Sequence, residues 1–339
     1  MPRLLQVIAL LLLLPLLPAA RPALDLEAFR VMARSRQLES PQTYLRSMER
    51  GLDIFQKQRR WVAIPDSVPS LILPDLHAQR DYLLQALELK LDGKTVWQLL
   101  QAGQINLVLL GDAMHSEQRA QQRWLQAEVE VLGAHPQDSP AMQAEMVESL
   151  GLMRMIFELK CAYPQHFFFL RGNHEDMDPA RPYRKFTGAG ESNLVKHWVV
   201  ARFGGSFLKR WSQAEQSLPL VGEGGSFLAS HSPPEEPLQR EDVLRGSASA
   251  FHTCTWSDNT RWQPGGPQEA HFLANCRKFG VTPQRPWVVG HRKVEGARYR
   301  LQCGGRLLQI NPLDHDPRIY LLAPPRGKPL LAEKAVRKL

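Results

Sequence analysis

The 339-residue chain has only four cysteines, Cys161, Cys254, Cys276 and Cys303, and no CxxC pair among them. A thiolate zinc knot is therefore excluded. In an oxidising compartment the four could close disulfides, with Cys254–Cys276 one open pairing, while Cys161 on an apolar helix face is expected as a free thiol. No long Lys/Arg run and no basic–aromatic platform occurs, although 42 Lys+Arg exceed 34 Asp+Glu for a net charge of +8. Nucleic acid is thus not an expected partner, and the excess reads as a basic surface suited to anions. Internal repeats, low-complexity tracts and an evident domain boundary are all missing, which leaves one folded unit. With 43% hydrophobic residues the chain has material for a large core.

A full membrane-spanning run is also lacking. The apolar stretch from Leu4 to Leu17 follows a short basic start at Arg3, is interrupted by Pro15 and Pro18, and runs into "PAARPA". Residues 1–23 are expected to be a secretory signal peptide, making the protein exported, periplasmic or secreted. The alternative is a membrane anchor over residues 4–20, and only that would bring a membrane partner. A cysteine beside the small residues is absent, which argues against a lipid anchor.

What is present is a recurring pattern. "SLILPDLH" reaches Asp75 and His77, "INLVLLGD" reaches Asp112, and "HFFFLRGNH" reaches Asn173 and His174. "GSFLASH" reaches His231 and "RPWVVGH" reaches His291. Each is a short apolar run, the mark of a buried strand, ending in a residue able to bind metal. Helix-type stretches such as "DYLLQALELK" and "ESLGLMRMIFELKCAYP" lie between them, so an α/β layered fold is expected, with ligands at the carboxyl ends of its strands. Carboxylate, carboxamide and imidazole donors without thiolate suit Mn, Fe or Zn, and two such ions sharing a carboxylate are a known arrangement for phosphate-ester hydrolysis.

The ordered set "PDLH", "LLGD", "LRGNHE", "SHSPP" and "VVGH" resembles the motifs of the calcineurin-like metallophosphoesterases. "LGLMRMIFELKCAYPQHFFFLRGNHED" and "TWSDN" resemble the Ser/Thr phosphoprotein phosphatases within them. The chain is identified as a divergent, exported, bacterial-type member. The resemblance implies a four-layer α-β-β-α sandwich in one domain over residues 70–325, with a helical or extended segment at 24–69 and a basic tail at 326–339. It implies two metal ions per chain, the first held by Asp75 and His77. Asp112 would bridge to a second ion held by Asn173, His231 and His291. His174 would be the general acid, and Arg245 would fall near the family's phosphate-clamping arginine. Asn173 and Arg171 are further substrate-binding candidates, and the substrate is expected to be a phosphorylated small molecule or protein.

Departures from the family pattern set further questions. Its Gly-Asp-x-Val-Asp-Arg-Gly motif is "GDAMHSE" here, so His115 stands where the Asp orienting the catalytic His would be, and Ser116 replaces an arginine. His115 could pair with His174, or Glu117 could orient it, with Asp176 and Asp178 as further candidates. Residues 113–149 read as an insertion, a lid or substrate wall, made of a helix over "EQRAQQRWLQAEVEVL" and a loop carrying His135 and Asp138. Asp314 and His315 replace the family's active-site Tyr stretch. Trp256, Ser257 and Asp258 read as a packing motif, and Glu175 as support for the site. His166, His197, His252 and His271 belong to no motif. Three functions compete: a phosphomonoesterase, with phosphoprotein among its candidate substrates, a phosphodiesterase or nucleotide hydrolase, and a non-catalytic phosphate- or partner-binding pseudophosphatase.

Overall fold

The computed structural model describes residues 24–179, 184–312 and 317–339. The N-terminal segment 1–23, expected to be a signal peptide or anchor, lies outside them, as do Asp314 and His315. No helix among the described residues is long and apolar enough to cross a membrane.

Among the described residues thirteen strands follow in chain order, beginning with β1 (Trp61–Ala63), β2 (Ser70–Leu73), the small hairpin β3 (Lys90–Leu91) and β4 (Lys94–Thr95), β5 (Asn106–Leu109) and β6 (Phe167–Phe169). They continue with β7 (Val221–Glu223), β8 (Leu228–Ala229), β9 (Trp287–Val289), β10 (Arg300–Gln302), β11 (Leu307–Gln309), β12 (Ile319–Ala323) and β13 (Val336–Lys338). One sheet has the order β13-β12-β2-β5-β6, with β2, β5 and β6 parallel. The other has the order β1-β7-β8-β9-β11-β10.

Side-chain alternation along these strands builds the layers. Ile72, Val108 and Phe168 point between the sheets, where they meet Ala229, Val288 and Leu308 of the second sheet. Their neighbours Leu71, Leu73, Leu107, Leu109, Phe167 and Phe169 point the other way, into a helical layer. That layer includes the helices Leu26–Arg34, Pro41–Lys57 and Pro140–Ala162. On the far side, Val221, Trp287, Val289 and Leu307 bury against the helices Arg240–Arg245, Ala248–Thr255 and Pro267–Lys278. The result is the expected four-layer α-β-β-α sandwich.

Two segments differ from expectation. Residues 326–339 are not a loose basic tail: Leu330, Ala332, Ala335 and Val336 are buried, and β13 extends the first sheet by pairing antiparallel with β12. Its apolar residues find a sheet edge, which net charge alone does not reveal. Residues 24–69 likewise belong to the sandwich, contributing two core-packed helices and β1. The cysteines form no disulfide; Cys254 and Cys276 are buried thiols whose pKa burial pushes up to about 12.

The longest helix, Pro140–Ala162, starts on Ser139, whose hydroxyl accepts from Met142 N at 3.1 Å, with proline at the first helical position. Near its other end Lys160 is fully buried, donating to Pro164 O at 3.0 Å and Phe167 O at 2.7 Å and lying over the rings of Phe55 and Phe168. Burial lowers its pKa from 10.5 to about 7. A base with a depressed folded pKa destabilises most where both states are protonated, below pH 7. Stability should therefore rise by a few kcal/mol as pH climbs from about 7 toward 10.5. In Lys160→Met this contribution vanishes, so the wild-type minus variant difference in urea midpoint should grow with pH. A difference independent of pH would contradict the assignment.

Candidate metal centre

All five expected strands form, and each delivers its polar residue at its carboxyl end. β2 leads to Asp75 and His77, β5 to Asp112, β6 to Asn173 and His174, β8 to His231 and β9 to His291. The turns are crowded. A Cβ on Gly172 would lie 2.1 Å from Asp112 Oδ1, and one on Gly290 would lie 2.1 Å from Asp75 Oδ1, so both positions require glycine. Eight described non-glycine residues have left-handed φ, and six of them, His77, Ala78, Asp112, His115, Glu117 and His291, cluster here. Strained backbone of this kind gathers at functional sites and is held by its surroundings.

The holding groups are specific. The buried carboxylate of Glu175 accepts from Asp112 N and Ala113 N at 2.8 Å and from Gly172 N at 2.7 Å. Leu76 N and His77 N donate to Asp112 O at 3.1 and 2.8 Å, joining the first turn to the second. Asp75 Oδ1 accepts from His291 N at 3.1 Å, while its Oδ2 accepts from Asn311 Nδ2 at 2.7 Å.

Hydrogen bonding assigns the ring tautomers. His77 Nδ1 donates to His115 O at 3.0 Å, which turns Nε2 toward Asp75 Oδ2 and Asp112 Oδ2, each 3.9 Å away. His231 Nδ1 donates to Leu110 O at 3.0 Å, which turns Nε2 toward Asn173 Oδ1 at 2.9 Å, His291 Nδ1 at 3.1 Å and Asp112 Oδ2 at 3.2 Å. Three groups with metal-ligand spacing result among the described residues, Asp75–His77–Asp112, Asp112–His231–His291 and His77–Glu117–His174, and Asp112 is common to the first two.

This donor set fits a metal cation. Around His231 Nε2, imidazole, carboxamide and carboxylate lone pairs converge on one small volume, an arrangement that repels itself until a positive charge enters. Burial raises the Asp75 carboxyl to about 7 and holds that of Asp112 well above the usual range, while it keeps His291 well below the usual imidazole value. Desolvated acids and neutral imidazoles facing one another favour hard or borderline cations.

Beside the ligands, His174 Nδ1 lies 2.8 Å from His115 Nδ1, and its Nε2 lies 3.4 Å from Glu117 Oε1 and 3.8 Å from Asp112 Oδ2. Both orienting partners left open by the sequence therefore touch the same ring. Asp176 instead faces Arg171, and Asp178 faces Lys196. Glu117 also pairs with Lys185. The insertion packs as a wall: its helix Gln121–Val131 supplies Arg123, and Pro140–Ala162 supplies Glu145 and Ser149. Ser149 Oγ accepts from His115 N at 3.1 Å, and Glu145 accepts from Ser116 N at 2.9 Å and from Arg123 Nη2 at 2.5 Å. His135 and Asp138 are exposed, as expected.

Two expected substrate-binding arginines are placed otherwise. Arg245 is largely exposed at a helix end and bonds Asp242, three residues back on the same helix, rather than any residue of the cluster. Arg171 is turned onto its own loop, donating to Glu175 O at 3.2 Å and lying 4.6 Å over the Phe251 ring, so it braces the turn that carries Asn173. Trp256 packs against His291, and Asp258 pairs with Arg292. Sequence reasoning missed Asn311, although it ends an apolar strand run, "LLQIN", by the same rule as the others. It missed Lys185 too, which carries no local signal.

The family described as Calcineurin-like phosphoesterase matches residues 68–273. A protein serine/threonine phosphatase from Saccharomyces cerevisiae shares the fold, with a TM-score of 0.54 at 14% identity, covering 85% of this chain and 83% of that one. A cold-active protein-tyrosine phosphatase from a Shewanella species superposes with a TM-score of 0.44 at 16% identity over 79% and 78% of the two chains. No curated protein matches the sequence.

Glu175→Gln should be costly, because an amide cannot accept from three converging N–H groups. We expect a loss of roughly 2–4 kcal/mol in chemical denaturation together with reduced metal content. Wild-type stability in the variant would show that the two strand ends hold their spacing without it.

Proposed function

The chain belongs to the calcineurin-like phosphoesterase family, and from that premise we propose that this metal-dependent phosphoester hydrolase acts on phosphomonoesters, with His174 as its proton donor. The observation that carries the reading is the position of Asp112, shared by two ligand groups, with His174 Nε2 3.8 Å from the same carboxylate oxygen. Metal ions bound there would supply Lewis acidity, activating water and neutralising phosphate oxygens. Asp75, His77, Asp112, Asn173, His231 and His291 would hold them.

The protein residues handle the leaving group. Protonated His174 donates Nδ1–H to the Nδ1 lone pair of His115, which burial keeps neutral, and presents Nε2–H at the mouth of the site. Glu117 Oε1 at 3.4 Å offsets the imidazolium charge. On bond cleavage the Nε2 proton passes to the departing alkoxide, and His174 is left neutral with its Nδ1–H still on His115. Lys185, held by Glu117, is a cation beside this path that can meet a phosphate oxygen. Phosphorylated small molecules and proteins both fit this chemistry, and the apolar N-terminal run supports an exported enzyme whose substrates lie outside the cytoplasm.

Burial, reinforced by His115, holds the His174 pKa well below 6.5, so the protonated donor is depleted as pH rises. Replacing His115 by aspartate should raise that pKa and move the alkaline limb of the pH–rate profile to higher pH; an unmoved limb would remove His115 from the dyad. His174→Asn should keep its metal and lose ~10²–10⁴ in rate on an aryl phosphate, whereas Asp112→Asn should lose metal and rate together. Metal analysis and phosphate release read both. Equal rates in all three proteins would end the proposal, and faster release from diesters than from monoesters would reassign the substrate class.

A further inference from the structure

A cleft of about 800 Å³ opens beside the first ligand group and is lined by five arginines, Arg34, Arg36, Arg80, Arg119 and Arg318. Its floor includes Ala78, the residue after His77, and Arg119 Nη2 donates to His77 O at 3.3 Å. Two carboxylates in the lining answer these charges: Asp81 pairs with Arg318 and Glu148 with Arg119, both at 2.5 Å. Glu148 is shared further with Arg123 at 3.0 Å. Among the described residues no carboxylate pairs with Arg34, Arg36 or Arg80. The Arg80 side chain runs across Gly151 of the helix Pro140–Ala162, where a Cβ would come within 3.0 Å of its Cδ and Nη1, and it donates to Met32 O at 3.2 Å. Burial lowers its pKa, and Glu148 and Asp81 nearby act against that shift. Arg34, Arg36 and Arg318 lie outside the family-matched stretch of residues 68–273.

The geometry points to a second anion subsite, in which this cleft binds a further phosphate group of a small substrate whose scissile phosphate occupies the metal centre. Guanidinium groups bind phosphate oxygens in pairs, and a cleft of this volume suits a small molecule. The substrate class is then an organic bisphosphate or polyphosphate in which the second phosphate stays on the leaving group. This rests on the phosphoesterase reading for the scissile end, while the subsite is a matter of binding alone.

Calorimetry on the metal-loaded full chain decides it, using alkane-bisphosphonates of increasing length against alkyl-monophosphonates of equal length, none of which is an ester. At the best length the bisphosphonate should bind at least roughly tenfold more tightly. Arg34→Gln/Arg36→Gln should bring the pair within about twofold, while Arg210→Gln, a surface control of equal charge type per site, should preserve the advantage. No advantage at any length, or an advantage that survives Arg34→Gln/Arg36→Gln, would overturn the subsite. Failure of the hydrolytic reading would instead appear as no phosphate release from any ester by the wild type, and it would leave the binding result standing.

Discussion

Glu175 sits with its carboxylate buried between two strand ends and accepts the amides of Asp112, Ala113 and Gly172. Through those bonds the turn after β5 and the turn after β6 hold one spacing. That spacing brings Asp112 within reach of both ligand groups and places His174 N on Asp112 Oδ1 at 2.9 Å. The carboxylate is desolvated, and burial raises its pKa to about 7. It holds its place because its oxygens have three amide donors at once; a buried acid left with fewer would be a net cost.

Around this clamp the chain concentrates its departures from relaxed backbone. His77, Asp112 and His291 all carry left-handed φ, which turns each side chain off its strand axis and into the gap between the sheets. The strain is tolerable because each turn is braced by another: Leu76 and His77 on Asp112 O, Asp75 on His291 N and Asn311 on Asp75. The two sheets are joined at this end by a polar network, while Ile72, Val108, Phe168 and Val288 join them beneath it by apolar packing.

The dyad shows how one substitution alters the chemistry of an otherwise retained frame. His115 reaches His174 at 2.8 Å but, kept neutral by burial, does not stabilise an imidazolium as a carboxylate would. Glu117, on the other ring nitrogen, supplies the negative charge instead. Ser149 holds the His115 amide and Glu145 holds that of Ser116, which fixes the turn carrying His115. Lys185 pairs with Glu117 nearby, and an arginine-lined cleft opens beside His77.

Most of the ligand set was legible in the sequence because its signal is local: an apolar run followed at once by Asp, Asn or His reads the same in any buried strand. Continuous apolar runs along those strands also implied an α/β layered fold, and the family resemblance supplied the four layers. The rest depends on approach from a distance. Lys185 meets Glu117 from 68 positions away, and Asn311 meets Asp75 from 236. Arg245 was suggested by the resemblance yet is largely exposed, and the last residues looked like a tail yet form an edge strand. By itself the sequence determined which donors stand at the strand ends and that no thiolate joins them, since both follow from residue type and period. Tertiary packing alone decided which partners hold His174, how Asn311 and Lys185 reach the site and where the unpaired arginines gather, because burial and distance between remote segments have no counterpart in local pattern.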